Sequence, residues 1–147
     1  MSANTKDLDA WRKKLEKLCN GGMAPFYEKQ AIKGALLTQR NVVKTTPVDT
    51  GFMRKSWGVD KNVKQEGNTY STRIFNNARG EASKAYPYGA PYPYYIENGH
   101  RILNKKGDTI GYMQGKKILK KAKEKAAGQL AKTAKKDLKA FLEEVMS

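Results

Sequence analysis

A helical pattern that meets a forced stop constrains this chain more than any other feature. From Pro25, which can open a helix at its first turn, Ile32, Leu36 and Val43 recur on one helical face, flanked by Ala31 and Ala35. The pattern then runs into Thr-Thr-Pro-Val-Asp-Thr-Gly-Phe-Met-Arg-Lys-Ser-Trp, residues 45–57. Pro47 disfavours a helical conformation in the residue before it, so the helix must end near Thr46. Asp49 and Thr50 carry short oxygen side chains that bind nearby backbone N–H groups in a turn. Gly51 permits a positive φ. Phe52 and Met53 return apolar weight to the core, while Arg54 and Lys55 face out. The stretch predicts a rigid corner that redirects the chain from helix to sheet.

On the N-terminal side, Leu8, Trp11, Leu15 and Leu18 sit at helical spacing, and Asn20-Gly21-Gly22 stops that helix. Beyond the corner, residues 55–63 and 69–77 read as two strands joined by a Lys-Gln-Glu-Gly-Asn hairpin link with Gly67 and Asn68 at its tip. Residues 84–95 hold Pro87, Pro91 and Pro93 among Tyr86, Tyr88, Tyr92, Tyr94 and Tyr95. Proline keeps such a segment extended and tyrosine makes it adhesive, so it is either an arm at a subunit interface or a surface loop whose rings pack locally. Tyr95 and Ile96 read as a short strand, with a turn at Asn98 and Gly99. A glycine-punctuated loop follows, and then a long helix. Ile118, Ala122, Ala126, Leu130, Ala134, Leu138, Phe141 and Val145 form one stripe of it. Lysines crowd its first turns, while Glu143 and Glu144 sit at its far end, both against the helix dipole. The order predicts a single α+β domain over residues 1–147. A small antiparallel sheet packs with N-terminal helices and a long C-terminal helix, and residues 1–22 are a helical extension.

Charge narrows the partners. Lys and Arg number 29 against 14 Asp and Glu, a formal net charge of +15, so phosphate or acidic protein surfaces are attracted. Lysine dominates, which favours diffuse attraction over bidentate base reading. Lys116, Lys117, Lys120 and Lys121 are the candidate contacts for DNA or an acidic partner; a solvated basic face is the simpler explanation. Cys19 is the one cysteine, so no internal disulfide and no Cys-rich metal site is expected. The opening residues lack the apolar core of a signal peptide, and no run approaches the roughly 18 apolar residues that cross a bilayer. His100, Glu97 and Asp49 make a poor metal or acid–base set. No phosphate loop or nucleophile elbow appears. No catalytic residue, cofactor or metal is therefore expected.

Taken in order, several motifs resemble a known family. They are Thr-Pro-Val-Asp-Thr-Gly with Arg54 and Ser56 after it, a strand pair, Tyr-Pro-Tyr-Tyr-Ile-Glu-Asn-Gly-His-Arg at 92–101, and Gly-Tyr-Met-Gln-Gly before the last helix. This set is similar to the small tail components of tailed bacteriophages and prophages, variously called neck, head–tail joining or tail-completion proteins. The resemblance implies a structural virion protein, made in the bacterial host cytoplasm, with no enzymatic activity. It implies a homo-oligomeric ring, six subunits to match a sixfold tail, around the path of double-stranded DNA. Its neighbours would be head-connector, tail-terminator or tail-tube proteins, with no membrane. Within this frame Pro47, Asp49, Thr50, Gly51, Arg54 and Ser56 form the structural corner, and Tyr86, Tyr88, Tyr92, Tyr94 and Tyr95 are candidates for the subunit interface. A rival from another class is a basic nucleic-acid-binding protein without enzymatic activity.

Overall fold

A computed structural model describes residues 5–48 and 51–147. Helix α1 (Thr5–Lys17) ends in a wide turn, Leu18–Gly22, where Asn20 and Gly21 leave helical geometry. Helix α2 (Ala24–Thr45) opens with Pro25 in its first turn and stops where Pro47 requires, with Thr46 already extended at ψ 127°. A one-turn helix α3 (Phe52–Lys55) leads into β1 (Trp57–Val59), β2 (Lys64–Glu66), β3 (Thr69–Ser71) and β4 (Ile74–Asn76). Helix α4 (Tyr92–Asn98), β5 (Gly99–Leu103), β6 (Thr109–Gln114) and helix α5 (Ile118–Met146) complete the order. The molecule is α+β, as the sequence pattern predicts. Its sheet material is divided into three antiparallel pairs, β1–β4, β2–β3 and β5–β6.

The first four strands form the expected hairpin with an interruption. Trp57 pairs with Asn76 and Val59 with Ile74; the ladder breaks and then resumes with Lys64 opposite Ser71 and Glu66 opposite Thr69. Asp60 bridges the break by donating its N–H to the Arg73 carbonyl at 2.8 Å. Lys64–Glu66 is therefore strand, and the turn is only Gly67 and Asn68.

Two expectations fail in the second half. Tyr95 and Ile96 lie in helix α4, not in a strand. Pro91 and Pro93 stand at the start of that helix, where a missing N–H costs nothing because the first helical N–H groups have no intrahelical partner. Residues 103–115, expected as a loop, carry β6 and the end of β5, and the two strands form a ribbon with His100 opposite Met113 and Arg101 opposite Tyr112.

Helices α2 and α5 form the body and run antiparallel. Asn41 lies opposite Ala122 and Gln129, Lys33 opposite Thr133, and Gln30 opposite Asp137. Small residues let the helices approach: Ala35, Ala122 and Ala126 are buried at the seam. Polar pairs then fix the register. Buried Asn41 donates to Gln129 Oε1 at 2.8 Å, and Lys33 Nζ reaches Thr133 Oγ1 at 2.8 Å and the Asp137 carboxylate. Leaving such groups unpaired in the seam would cost their desolvation, so they select one alignment. The apolar core lies at one end of this pair. Val42, Met53, Ala78, Ile118 and Ala122 are buried there against Trp57, Tyr92, Ile96 and Leu119.

The Lys33 ammonium, and then the Gln30 amide, hold the Asp137 carboxyl below its ordinary value of 3.8. A depressed carboxyl contributes stability that is present above the unfolded-state value and lost as pH falls through the folded one. Asp137→Asn should therefore lower the melting temperature at pH 7. The gap to the parent should close as pH falls below about 4. A gap of equal size at pH 7 and pH 3 would show that the pair does not carry it.

Candidate functional site

The corner is built around a residue that the sequence did not single out. Thr46 is 2% exposed. Its hydroxyl donates to the Val42 carbonyl at 2.6 Å and accepts from Trp57 Nε1 at 2.9 Å. Its carbonyl accepts from Arg54 Nη2 at 3.3 Å. The helix end, the one-turn helix and the first strand are thus tied through one threonine. The signal was its position directly before Pro47, where a hydroxyl can serve a chain that has left the helix. Pro47 is half-buried and Gly51 has φ 76°, so a side chain there would have room but a strained backbone. Ser56 Oγ donates to the Phe52 carbonyl at 2.7 Å, closing α3. Asp49 and Thr50 lie outside the described residues.

A second junction sets the direction of α5. The Glu97 carboxylate, at the end of α4, accepts from the backbone N–H groups of Leu119 at 2.9 Å and Lys120 at 3.1 Å. It occupies the place of an N-cap, supplied from another element. Its negative charge sits at the positive end of the dipole, offsetting the lysines crowded into that turn. Beside it, Lys116 and Lys117 donate their N–H groups to the Ile96 and Glu97 carbonyls at 2.8 and 3.3 Å. The far end is treated in the same way: Lys14 Nζ, from α1, donates to the Met146 carbonyl at 2.8 Å and to that of Ser147 at 3.3 Å. Both charge placements that oppose the dipole of α5 are compensated from outside the helix.

The tyrosine-rich segment divides into parts. Residues 80–90 close on themselves, with the Gly80 N–H on the Ala90 carbonyl at 2.9 Å and Arg79 Nη1 on the Gly89 carbonyl at 3.2 Å. Tyr86 and Tyr95 share a hydroxyl–hydroxyl hydrogen bond, and Tyr95 meets His100 edge-on at 5.9 Å between centroids. The bond from Tyr86, then burial, raises the Tyr95 phenol above its usual range. Tyr92 packs against the core, and burial raises its phenol too. Tyr88 and Tyr94 remain outward, 88% and 62% exposed.

The β5–β6 ribbon continues that outward surface. Its Ile102, Leu103, Ile110, Tyr112 and Met113 are all exposed, Ile110 by 66%. Isolated two-stranded ribbons are marginal in water, and this one offers apolar side chains beside two open edges. Lys116, Lys117, Lys120 and Lys121 are exposed at the start of α5.

Of the residues weighed for chemistry, Glu97 and His100 lie among the described residues. Glu97 is committed to capping α5, and His100 is exposed on the ribbon against Tyr95. Among the described residues, no three His, Cys, Asp or Glu side chains are grouped so as to hold a metal ion. None of their helices is long and apolar enough to cross a membrane.

Residues 6–99 match the family model described as "Bacteriophage HK97-gp10, putative tail-component". The match runs from α1 to Gly99, where the ribbon begins, and does not reach α5. Neither the curated proteins nor the solved structures give a match to the chain.

Proposed function

The chain belongs to the HK97-gp10-like family of bacteriophage tail components, and from this premise we propose that it completes the head-proximal end of the tail. Six copies form a ring around the DNA path there and join the tail to the head connector. The coarser role, a structural component of the virion tail, comes with the family. The observation that carries the finer one is the exposed ribbon. Ile102, Leu103, Ile110, Tyr112 and Met113 stand on a two-stranded element that its own subunit leaves uncovered. Exposed apolar side chains gathered on one element mark an interaction site. Its occupant is the next copy of this chain, because a head-to-tail contact that closes makes a ring.

The experiment is a reconstruction of purified particles. The chain should be traced as a sixfold layer between tail tube and connector, with the ribbon of each copy on its neighbour. Particles of normal composition without the chain would remove the tail role. A layer in which the ribbons touch only other proteins would remove the self-contact.

A further inference from the structure

We propose that the outward face of α5 is a contact for the phosphate backbone of double-stranded DNA. Lys121, Lys125, Lys132, Lys136 and Lys139 are all exposed, and their spacing of three, four or seven residues lines them on one stripe. At 1.5 Å per residue the stripe is about 27 Å long, most of one turn of B-DNA. It lies on the solvent side of α5, turned about 100° from the seam that Ile118, Ala122 and Ala126 form with α2.

The stripe works against its own helix. Lys121 and Lys125, and Lys132 and Lys136, are like charges four residues apart, which destabilise a helix. Among the described residues only Lys139 of this set has an ion pair, with Glu143 at 3.9 Å. A polyanion laid along the helix would turn that mutual repulsion into attraction.

The composition decides between two polyanions. Ala127, Gly128 and Ala131 are the exposed apolar residues between these lysines. Protein interfaces gather aromatic and large apolar anchors and are depleted in lysine. A phosphate backbone needs charge without anchors, and lysine supplies it with no base to read. An acidic protein face is therefore the weaker match. The proposal rests on the tail role for its setting, since that role places the chain beside DNA.

The test uses the full-length protein and a DNA duplex of about thirty base pairs, with binding followed by fluorescence anisotropy across a salt series. In the stripe variant, Lys121, Lys125, Lys132 and Lys136 become Gln, which keeps helix propensity. In the control, the exposed Lys61, Lys64, Lys84 and Lys105 become Gln, giving the same change in net charge. Circular dichroism checks both folds. The stripe variant should bind about tenfold or more weakly, and its log–log salt slope should be shallower by about 3 to 4. The control should keep most of both. Equal losses in the two variants would show diffuse attraction and overturn the assignment. Unchanged duplex binding by the stripe variant, with tails that no longer join heads, would overturn it in favour of an acidic protein face. If the stripe variant alone loses binding but the chain is missing from particles, the DNA contact stands and the tail role falls.

Discussion

Gly115→Ala should lower the melting temperature by about 10 °C. A Cβ on Gly115 would lie 2.3 Å from the Glu97 carbonyl oxygen, 2.6 Å from the Asn98 carbonyl carbon and 2.8 Å from the Gly99 nitrogen. All three are backbone atoms, so no rotamer change relieves the clash. Gly99 is held from the other side: with φ 83°, its own Cβ would lie 2.4 Å from the Met113 carbonyl oxygen. The two segments must therefore part. Parting them stretches the bonds from Lys116 to Ile96 and from Lys117 to Glu97, and draws the Glu97 carboxylate off Leu119 and Lys120. Overpacking costs about 1 to 3 kcal/mol, and loss of a helix cap about 0.5 to 2 kcal/mol. Together they come to about 3 kcal/mol, or about 10 °C for a domain of this size. Gly128→Ala, in the middle of α5 with nothing within 4 Å of a Cβ, should instead be neutral or slightly stabilising. A shift below about 2 °C for Gly115→Ala would show that the junction yields freely and does not orient α5.

That junction also marks the limit of what the residues disclosed. Local chemistry was legible. Pro47 ended α2, Asn20 and Gly21 ended α1, and Gly67 and Asn68 turned a hairpin. The stripe from Ile118 onward made one long helix. Each of these features lies within a few residues of the signal that announced it. Helix α4 was missed because three prolines among tyrosines suggest extended chain. The same proline that breaks a helix interior opens its first turn, and only the neighbours choose between the two. The β5–β6 ribbon was missed because glycines and lysines hide a strand whose ladder, not its side chains, holds it together. The roles of Glu97 and Lys14 were not legible at all. Glu97 caps a helix that begins some twenty residues later, and Lys14 reaches the last turn of the chain. The puzzle was visible, since the charges of α5 oppose its dipole, but its resolution required tertiary structure. The candidate interface was legible only as composition. Of the five tyrosines, Tyr92 packs into the core and Tyr86 and Tyr95 bond to each other, leaving Tyr88 and Tyr94 as the outward pair.

Replacing Tyr88, Ile110 and Met113 together with Ser should leave the monomer folded and reduce joined particles by about tenfold or more. The three side chains are chosen because the fold does not use them. Tyr88 is 88% exposed, Ile110 66% and Met113 52%. Surface substitutions of this kind usually change stability by less than about 0.5 kcal/mol each. Tyr92 is left alone because its loss would open the core, and Tyr112 because its hydroxyl donates to the Asn98 carbonyl at 3.1 Å. At an interface the account reverses. Burying one large apolar side chain contributes about 1.5 to 3 kcal/mol, so losing three from every contact weakens each by several kcal/mol. A closed ring repeats that loss at every boundary. The ring can still be absent from the isolated protein, because it forms on a tail or connector template, so the count must be made in particles. Thermal unfolding of the purified variant comes first, to show that the fold is intact. Electron micrographs of lysates then give the ratio of free tails to joined particles. If the variant is stable and joining is normal, neither the ribbon nor Tyr88 holds the neighbouring subunit, and the contact between copies must be sought on the exposed apolar face of α1, at Leu8 and Trp11.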